Sequence, residues 1–168
     1  MIARRQSGRV LSLEAIERAS DVADFIYGEL LMRAPSSPQD ELVFVSGLSP
    51  GLRMVWGTML LDNEVNNGGF DQFFWNTMDR HTEVAIDGLQ LIGAVRQAEL
   101  VRQAHEVFVE HDDELRSYRD RDAFDAYAKP DSHGDLWCTL DAEYYERSDL
   151  DRLRVAYIRS HIDEFVLD

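Results

Sequence analysis

Apolar residues along this chain recur at intervals of three and four, the spacing that lays side chains along one face of an α-helix. Ile16, Ala19, Ala23, Ile26 and Leu30 follow it behind Ser12. Serine caps helix starts by accepting a backbone N–H that has no partner within the helix. One helix is predicted from there to Pro35-Ser36-Ser37-Pro38, which ends it and can start another, with Ser37 as cap and Pro38 at the first helical position. Leu42-Val43-Phe44-Val45 is short and β-branched enough to allow a strand, and Gly47 closes it either way. Ser49-Pro50 repeats the start signal, and Leu52, Trp56, Met59, Leu60 and Asn63 share the face that follows. That helix is predicted to break at Asn66-Asn67-Gly68-Gly69, because Asn and Gly tolerate the left-handed backbone that closes a helix. Asp71 to Met78 then reads as a short aromatic helix, and Thr82 can cap one carrying Ala85, Leu89 and Ile92.

The pattern is sharper from Glu99 onward. Leu100, Ala104, Val107, Phe108, His111 and Leu115 fall on one stripe of a helical wheel. Glu99, Glu106, Glu110 and Asp113 fall on the opposite side, with Gln103 among them. Residues 119–135 are polar and read as a loop around a short helical piece at Ala123–Ala128. Leu140 to Glu146 is predicted helical, and a last helix from about Leu150 turns Leu153, Tyr157, Ile158, Ile162 and Phe165 inward. The strands that a parallel nucleotide-binding sheet needs are missing, and no internal repeat stands out. The expectation is an all-α fold: a single compact multi-helix domain over residues 12–168 behind a flexible N-terminal arm at 1–11.

Charge changes this picture more than composition does. The 168 residues carry 17 basic and 32 acidic side chains, a net charge of −15, while the hydrophobic fraction of 45% is that of a globular chain. Residues 110–168 alone carry −9. A field of that sign repels nucleic acid and anionic lipid and attracts basic partners, although acidity also serves plain solubility. Direct nucleic-acid binding and membrane association are therefore not expected. One cysteine, Cys138, excludes an intramolecular disulfide and points to a reducing, cytoplasmic setting.

Few residues suggest catalysis or metal binding. Asp131-Ser132-His133-Gly134-Asp135 gathers ligand-type side chains but lacks a helical histidine pair or a calcium-loop pattern. His111 sits in the apolar stripe and reads as a satisfied core histidine, His105 is wrongly spaced to share a ligand with it, and His81 and His161 have no partner in sequence. Cys138, between Trp137 and Thr139, reads as a small buried thiol. No phosphate-binding loop, dinucleotide fingerprint, nucleophile elbow or zinc-protease motif is present. The expectation is a chain without cofactor, metal or catalytic residues, and not an enzyme.

The densest local pattern is Glu64-Val65-Asn66-Asn67-Gly68-Gly69-Phe70, followed by Gln72-Phe73-Phe74 and Asn76. Its structural reading is a helix break whose aromatic residues bury the next helix. Asn66, Asn67, Gln72 and Asn76 would satisfy the backbone groups exposed by the break. Leu89-x-x-Ile92-Gly93-Ala94, Leu140-Asp141-x-x-Tyr144-Tyr145 and Tyr157-Ile158 come later in the chain. Together these pieces resemble the bacterial DNA-mimic protein domain family (DMP-type), from about residue 45 to the C-terminus. The resemblance implies an all-helical, acidic, homodimeric protein. In the family's characterised member, surface carboxylates imitate DNA phosphates and occupy the DNA-binding face of a helix-turn-helix repressor. Within that family the motif residues are a fold signature, whereas Glu99, Glu106, Glu110 and Asp113 come from the helical wheel as the candidate partner-binding surface. The expected function is a protein-binding module that displaces operator DNA from a basic regulator. The alternative is an immunity or inhibitor protein that neutralises a basic toxin such as a nuclease.

Overall fold

The computed structural model describes residues 11–123, 126, 137–146 and 149–167. Among them are eight α-helices: α1 (Leu13–Arg18), α2 (Val22–Arg33), α3 (Pro38–Ser46), α4 (Pro50–Thr77), α5 (Thr82–Leu91), α6 (Val95–Asp120), α7 (Cys138–Tyr145) and α8 (Leu150–Ser160). A 3-10 turn, Ile162–Phe165, follows α8. Extended pairing among the described residues is confined to one antiparallel bridge, Leu11 to Leu167. The fold is all-α.

Three of the predicted starts carry their caps as written in the sequence. The hydroxyl of Ser12 accepts from the Ala15 N–H, Ser37 from Asp40 and Ser49 from Leu52, each holding one of the donors a helix start leaves over. Ser49 also donates to the Glu164 carbonyl, which fixes the start of α4 to the closing turn. The single helix expected after Ser12 is two, because Ala19 leaves the helical region at ψ 128° and α2 begins afresh at Val22. Leu42 to Val45 is helical and not a strand, since Ser37, Pro38 and Gly47 bracket one continuous turn sequence around it. Thr82 is the first residue of α5 and not its cap, a position held by His81. Leu11, placed in the N-terminal arm by sequence, is fully buried. Arg119 and Asp120, predicted as loop, are the last residues of α6. Residues 1–10, most of the rest of the 119–135 loop, including all but Ala123 and Ala126 of its Ala123–Ala128 piece, and the Asp131–Asp135 cluster lie outside the described residues.

α4 is the axis around which the rest assembles, with α2, α3, α5, α6 and α7 all packed against it. Its closest neighbour is α5. A side chain at Gly57 would stand 2.6 Å from the Val84 carbonyl oxygen, so only glycine lets the two backbones approach this far. The core runs from Ile16, Ile26 and Leu30 through Val55, Leu61, Phe70, Phe73 and Phe74 to Leu89, Val101, Phe108, Trp137 and Phe165. Phe74 stacks on Phe108 at 4.7 Å and on Trp137 at 5.6 Å, and the Trp137 indole N–H donates to the Ala104 carbonyl. These aromatic contacts seat the inner face of α6 on the second half of α4, so the orientation of the α6 outer face follows from the core.

Candidate partner-binding surface and the glycine corner

α6 buries Gln97, Ala98, Leu100, Val101, Ala104, Phe108 and Leu115, which takes in Leu100, Ala104, Phe108 and Leu115 of the predicted stripe and leaves Val107 half-buried. Glu99, Glu106, Glu110 and Asp113 are all exposed. Glu99 is engaged within its own helix, by Arg102 at 3.4 Å and by the Gln103 amide at 3.2 Å. Glu106, Glu110 and Asp113 form no ion pair among the described residues, and Arg116 is held at 2.9 Å by Asp112, beside the row. His111 is a correction to the sequence reading. It is half-exposed, with its ring 3.9 Å from the Glu114 carboxylate, because the wheel carries it to the edge of the apolar stripe. Cys138 is exposed too, since the first turn of α7 points its side chain outward while the neighbouring Trp137 takes the buried position.

The glycine corner divides α4 into two arms. Gly68 (φ −161°, ψ 27°) and Gly69 (φ 74°, ψ −174°) leave the helical region, and the helix resumes at Phe70. The polar residues of the motif clasp one another across this break. Glu64 Oε2 accepts from Gln72 Nε2 at 2.8 Å and from Asn76 Nδ2 at 2.7 Å, and Asn67 Nδ2 donates to Gln72 Oε1 at 3.0 Å. Asn66 donates back to the Asp62 carbonyl at 2.7 Å. Satisfaction of exposed backbone groups was the expected role, but apart from this last bond the motif amides and Glu64 bond to side chains.

The exposed backbone donor is met from elsewhere. Asp141 of α7 reaches in, and its Oδ1 accepts the Phe70 N–H at 2.8 Å, capping the second arm of α4 from 71 residues away. Gly69 makes room for it: a Cβ there would lie 2.5 Å from Asp141 Oδ2, and φ of +74° is itself a region that other residues rarely adopt. Burial, and after it the neighbouring Asp141 carboxylate, pushes the Asp71 carboxyl up to about 7. Burial raises Asp141 as well, against the lowering effect of the Phe70 N–H. Tyr145 completes the contact by donating to the Val65 carbonyl.

A second network, absent from the sequence reading, lies under the first arm. Arg154 of α8 is fully buried. Its guanidinium donates to the Thr58 hydroxyl at 3.0 Å, the Thr58 carbonyl at 3.2 Å, Asp62 at 2.8 Å and Asp151 at 2.6 Å. Tyr144 reaches Asp62 at 3.3 Å, and burial, chiefly, raises its phenol well above the ordinary value. The signal was in the sequence, since Leu150, Arg154 and Ile158 stand four apart and all three are fully buried. His81 likewise finds partners in space: the Trp56 indole donates to its Nδ1 at 3.4 Å, and its Nε2 lies 2.7 Å from Glu41. Burial lowers its pKa, against the raising effect of Glu41.

Among the described residues no three His, Cys, Asp or Glu side chains gather closely enough to hold a metal ion. A cavity of about 450 Å³ opens between α4 and α5, lined by Arg53, Met54, Val84 and Leu91 among others, and not at the glycine corner. No described helix is long and apolar enough to cross a membrane. The chain matches the family model described as DMP19-like protein over residues 46–161. No curated protein and no solved structure matches it. With more than half its length matched, the chain belongs to the DMP19-like protein family.

Proposed function

We propose that this family member is a protein-binding module, not an enzyme, whose α6 face imitates the phosphate backbone of DNA for a basic regulator. The observation that carries the reading is the outward row Glu106, Glu110 and Asp113, exposed and without ion pairs among the described residues, on a helix anchored along its other side. The 1.5 Å rise per residue sets Glu106 and Glu110 about 6 Å apart along the axis, and Glu110 and Asp113 about 4.5 Å apart. Duplex DNA presents one phosphate per about 3.4 Å of each strand. The row is sparser than a strand, so it condenses fewer counterions, and binding draws on fixed geometry as well as on total charge. Such a surface offers no base edges, so partner choice rests on shape. The regulator's arginines and lysines would meet carboxylates where they otherwise meet phosphates, and operator DNA would be displaced.

Affinity capture from native lysate at low salt, with release at high salt, tests this. A helix-turn-helix or similar DNA-binding protein should elute, and the purified module should displace its operator in a gel-shift competition. If the captured proteins are unchanged when Glu106, Glu110 and Asp113 are all made neutral amides, the assignment of this surface is wrong. If the eluted protein is instead a nuclease whose activity the module blocks, toxin neutralisation replaces displacement of operator DNA.

A further inference from the structure

The glycine corner contains an acid with an unmet bond. Asp71 is only 7% exposed, and its Oδ1 is buried with no hydrogen-bond partner among the described residues. Asp141 stands on the facing helix, and among the described residues its carboxylate is the charged group that acts on Asp71. Asp141 spends Oδ1 on the Phe70 N–H, which leaves Oδ2, beside Gly69, as an acceptor. A buried carboxylate and a half-buried one on facing helices, with no cation paired to either among the described residues, repel when both are ionised, whereas one proton lets one donate and the other accept.

We propose that Asp71 and Asp141 form a proton-binding site, in which a single shared proton fastens α7 to the second arm of α4.

Among the described residues, the charged groups on the neighbouring elements are paired elsewhere. Glu64 is held by Gln72 and Asn76 on the first arm. On α6, Arg96 pairs with Glu143, His105 with Asp79, and Arg119 donates to the Trp75 carbonyl. Tyr144 is turned to Asp62 and Tyr145 to the Val65 carbonyl, so neither phenol supplies the missing donor. The upward displacement of both carboxyls agrees with one proton being retained at neutral pH. Ionisation of both would place two negative charges at a contact that depends on the Asp141 cap.

The sign of the pH effect follows from linkage. The folded state keeps the Asp71 proton to a higher pH than the unfolded chain does. Its stabilising effect is therefore complete below the unfolded carboxyl pKa, declines as pH rises, and is gone above about 7. Equilibrium unfolding of the wild type and of Asp71→Asn at pH 5 and pH 8 reads this out. Between those values the folded-to-unfolded ratio of the wild type should fall by tenfold to roughly a hundredfold more than that of the variant, whose amide donates at every pH. Carbon-13 NMR of the carboxyl groups, in the wild type itself, should show Asp71 titrating near neutrality. In Asp141→Asn the transition should move down to the ordinary carboxylate range, because the amide can donate to an ionised Asp71. An Asp71 carboxyl that titrates below pH 5 in the wild type overturns the proposal. So does a parallel pH course in Asp71→Asn, or stabilisation above pH 7 by calcium or magnesium that the variant loses, which would make the pair a metal site.

Discussion

Acidic residues do opposite work in two parts of this molecule. Around the first arm and the corner of α4, Asp62, Glu64 and Asp141 are each tied to named donors: Arg154 and Tyr144, Gln72 and Asn76, and the Phe70 N–H. On the outer face of α6, Glu106, Glu110 and Asp113 face solvent without ion pairs among the described residues, although like charges three and four apart disfavour a helix slightly. The inner acids are required by the backbone and by the buried arginine. Among the described residues, nothing in the fold requires the outer ones. Net charge therefore says less about function than the distinction between acids the structure uses and acids it leaves over.

The comparison is tested most severely at Arg154. Arg154→Met should cost about 3–5 kcal/mol, because Asp62 and the Thr58 carbonyl lose a buried cationic donor. Urea unfolding measures it, and a loss below about 1 kcal/mol, the range of surface pairs, would erase the contrast between the two regions. Adding Asp62→Asn should recover part of the loss, since the uncompensated charge is then gone.

Gly69→Ala comes next. The left-handed backbone disfavours a side chain by about 1–2 kcal/mol. Displacing Asp141 from the Phe70 N–H adds about 1–3 kcal/mol. Gly68→Ala is the control and should be far milder. Its φ of −161° suits any residue, and the nearest atom a Cβ would meet is Gln72 Oε1, on a flexible side chain that can turn away, with Gln72 Cβ next at 3.0 Å. Equal losses at the two glycines would mean that the Asp141 cap is not what the corner is built around.

These residues also mark how far the sequence could be read. Ser12, Ser37 and Ser49 announced three helix starts because a cap is a local interaction, made within three residues. The inward face of α6 was legible for the same reason, as periodicity is local. The break at Gly68-Gly69 was visible, but its partner was not, since nothing near Phe70 indicates that its N–H bonds to Asp141. Arg154 interrupts an apolar stripe, the place where a charged residue signals a buried partner, but the local pattern does not say which partner. His111 lies shallower than its stripe implies, because a wheel gives direction but not depth, and depth depends on which neighbour covers that turn.

Glu64 sharpens the comparison on a smaller scale. Glu64→Ala should cost about 1–2 kcal/mol through the loss of the Gln72 and Asn76 bonds, while Glu64→Gln, which keeps a carbonyl oxygen as acceptor, should cost about 0.5 kcal/mol. Thermal or urea unfolding separates the two. If Glu64→Gln were as damaging as Glu64→Ala, charge and not hydrogen bonding would hold the clasp.

The smallest effect on stability should come from the outer row. Replacing Glu106 and Glu110 by Gln and Asp113 by Asn removes one repulsion at i, i+4 and one at i, i+3, each about 0.2–0.5 kcal/mol. The triple variant should therefore unfold at the same urea concentration as the wild type or slightly higher. Its capture of a basic partner at low salt should nevertheless be lost, and the salt dependence of any residual binding should flatten. That pairing of outcomes separates surface from scaffold, because an acid tied to buried or clasped donors, such as Asp62 or Glu64, is not neutralised without a loss of stability. A triple variant that unfolds about 2 kcal/mol more easily would place the α6 acids with the inner ones, and the carboxylate row would then be part of how the helix is held.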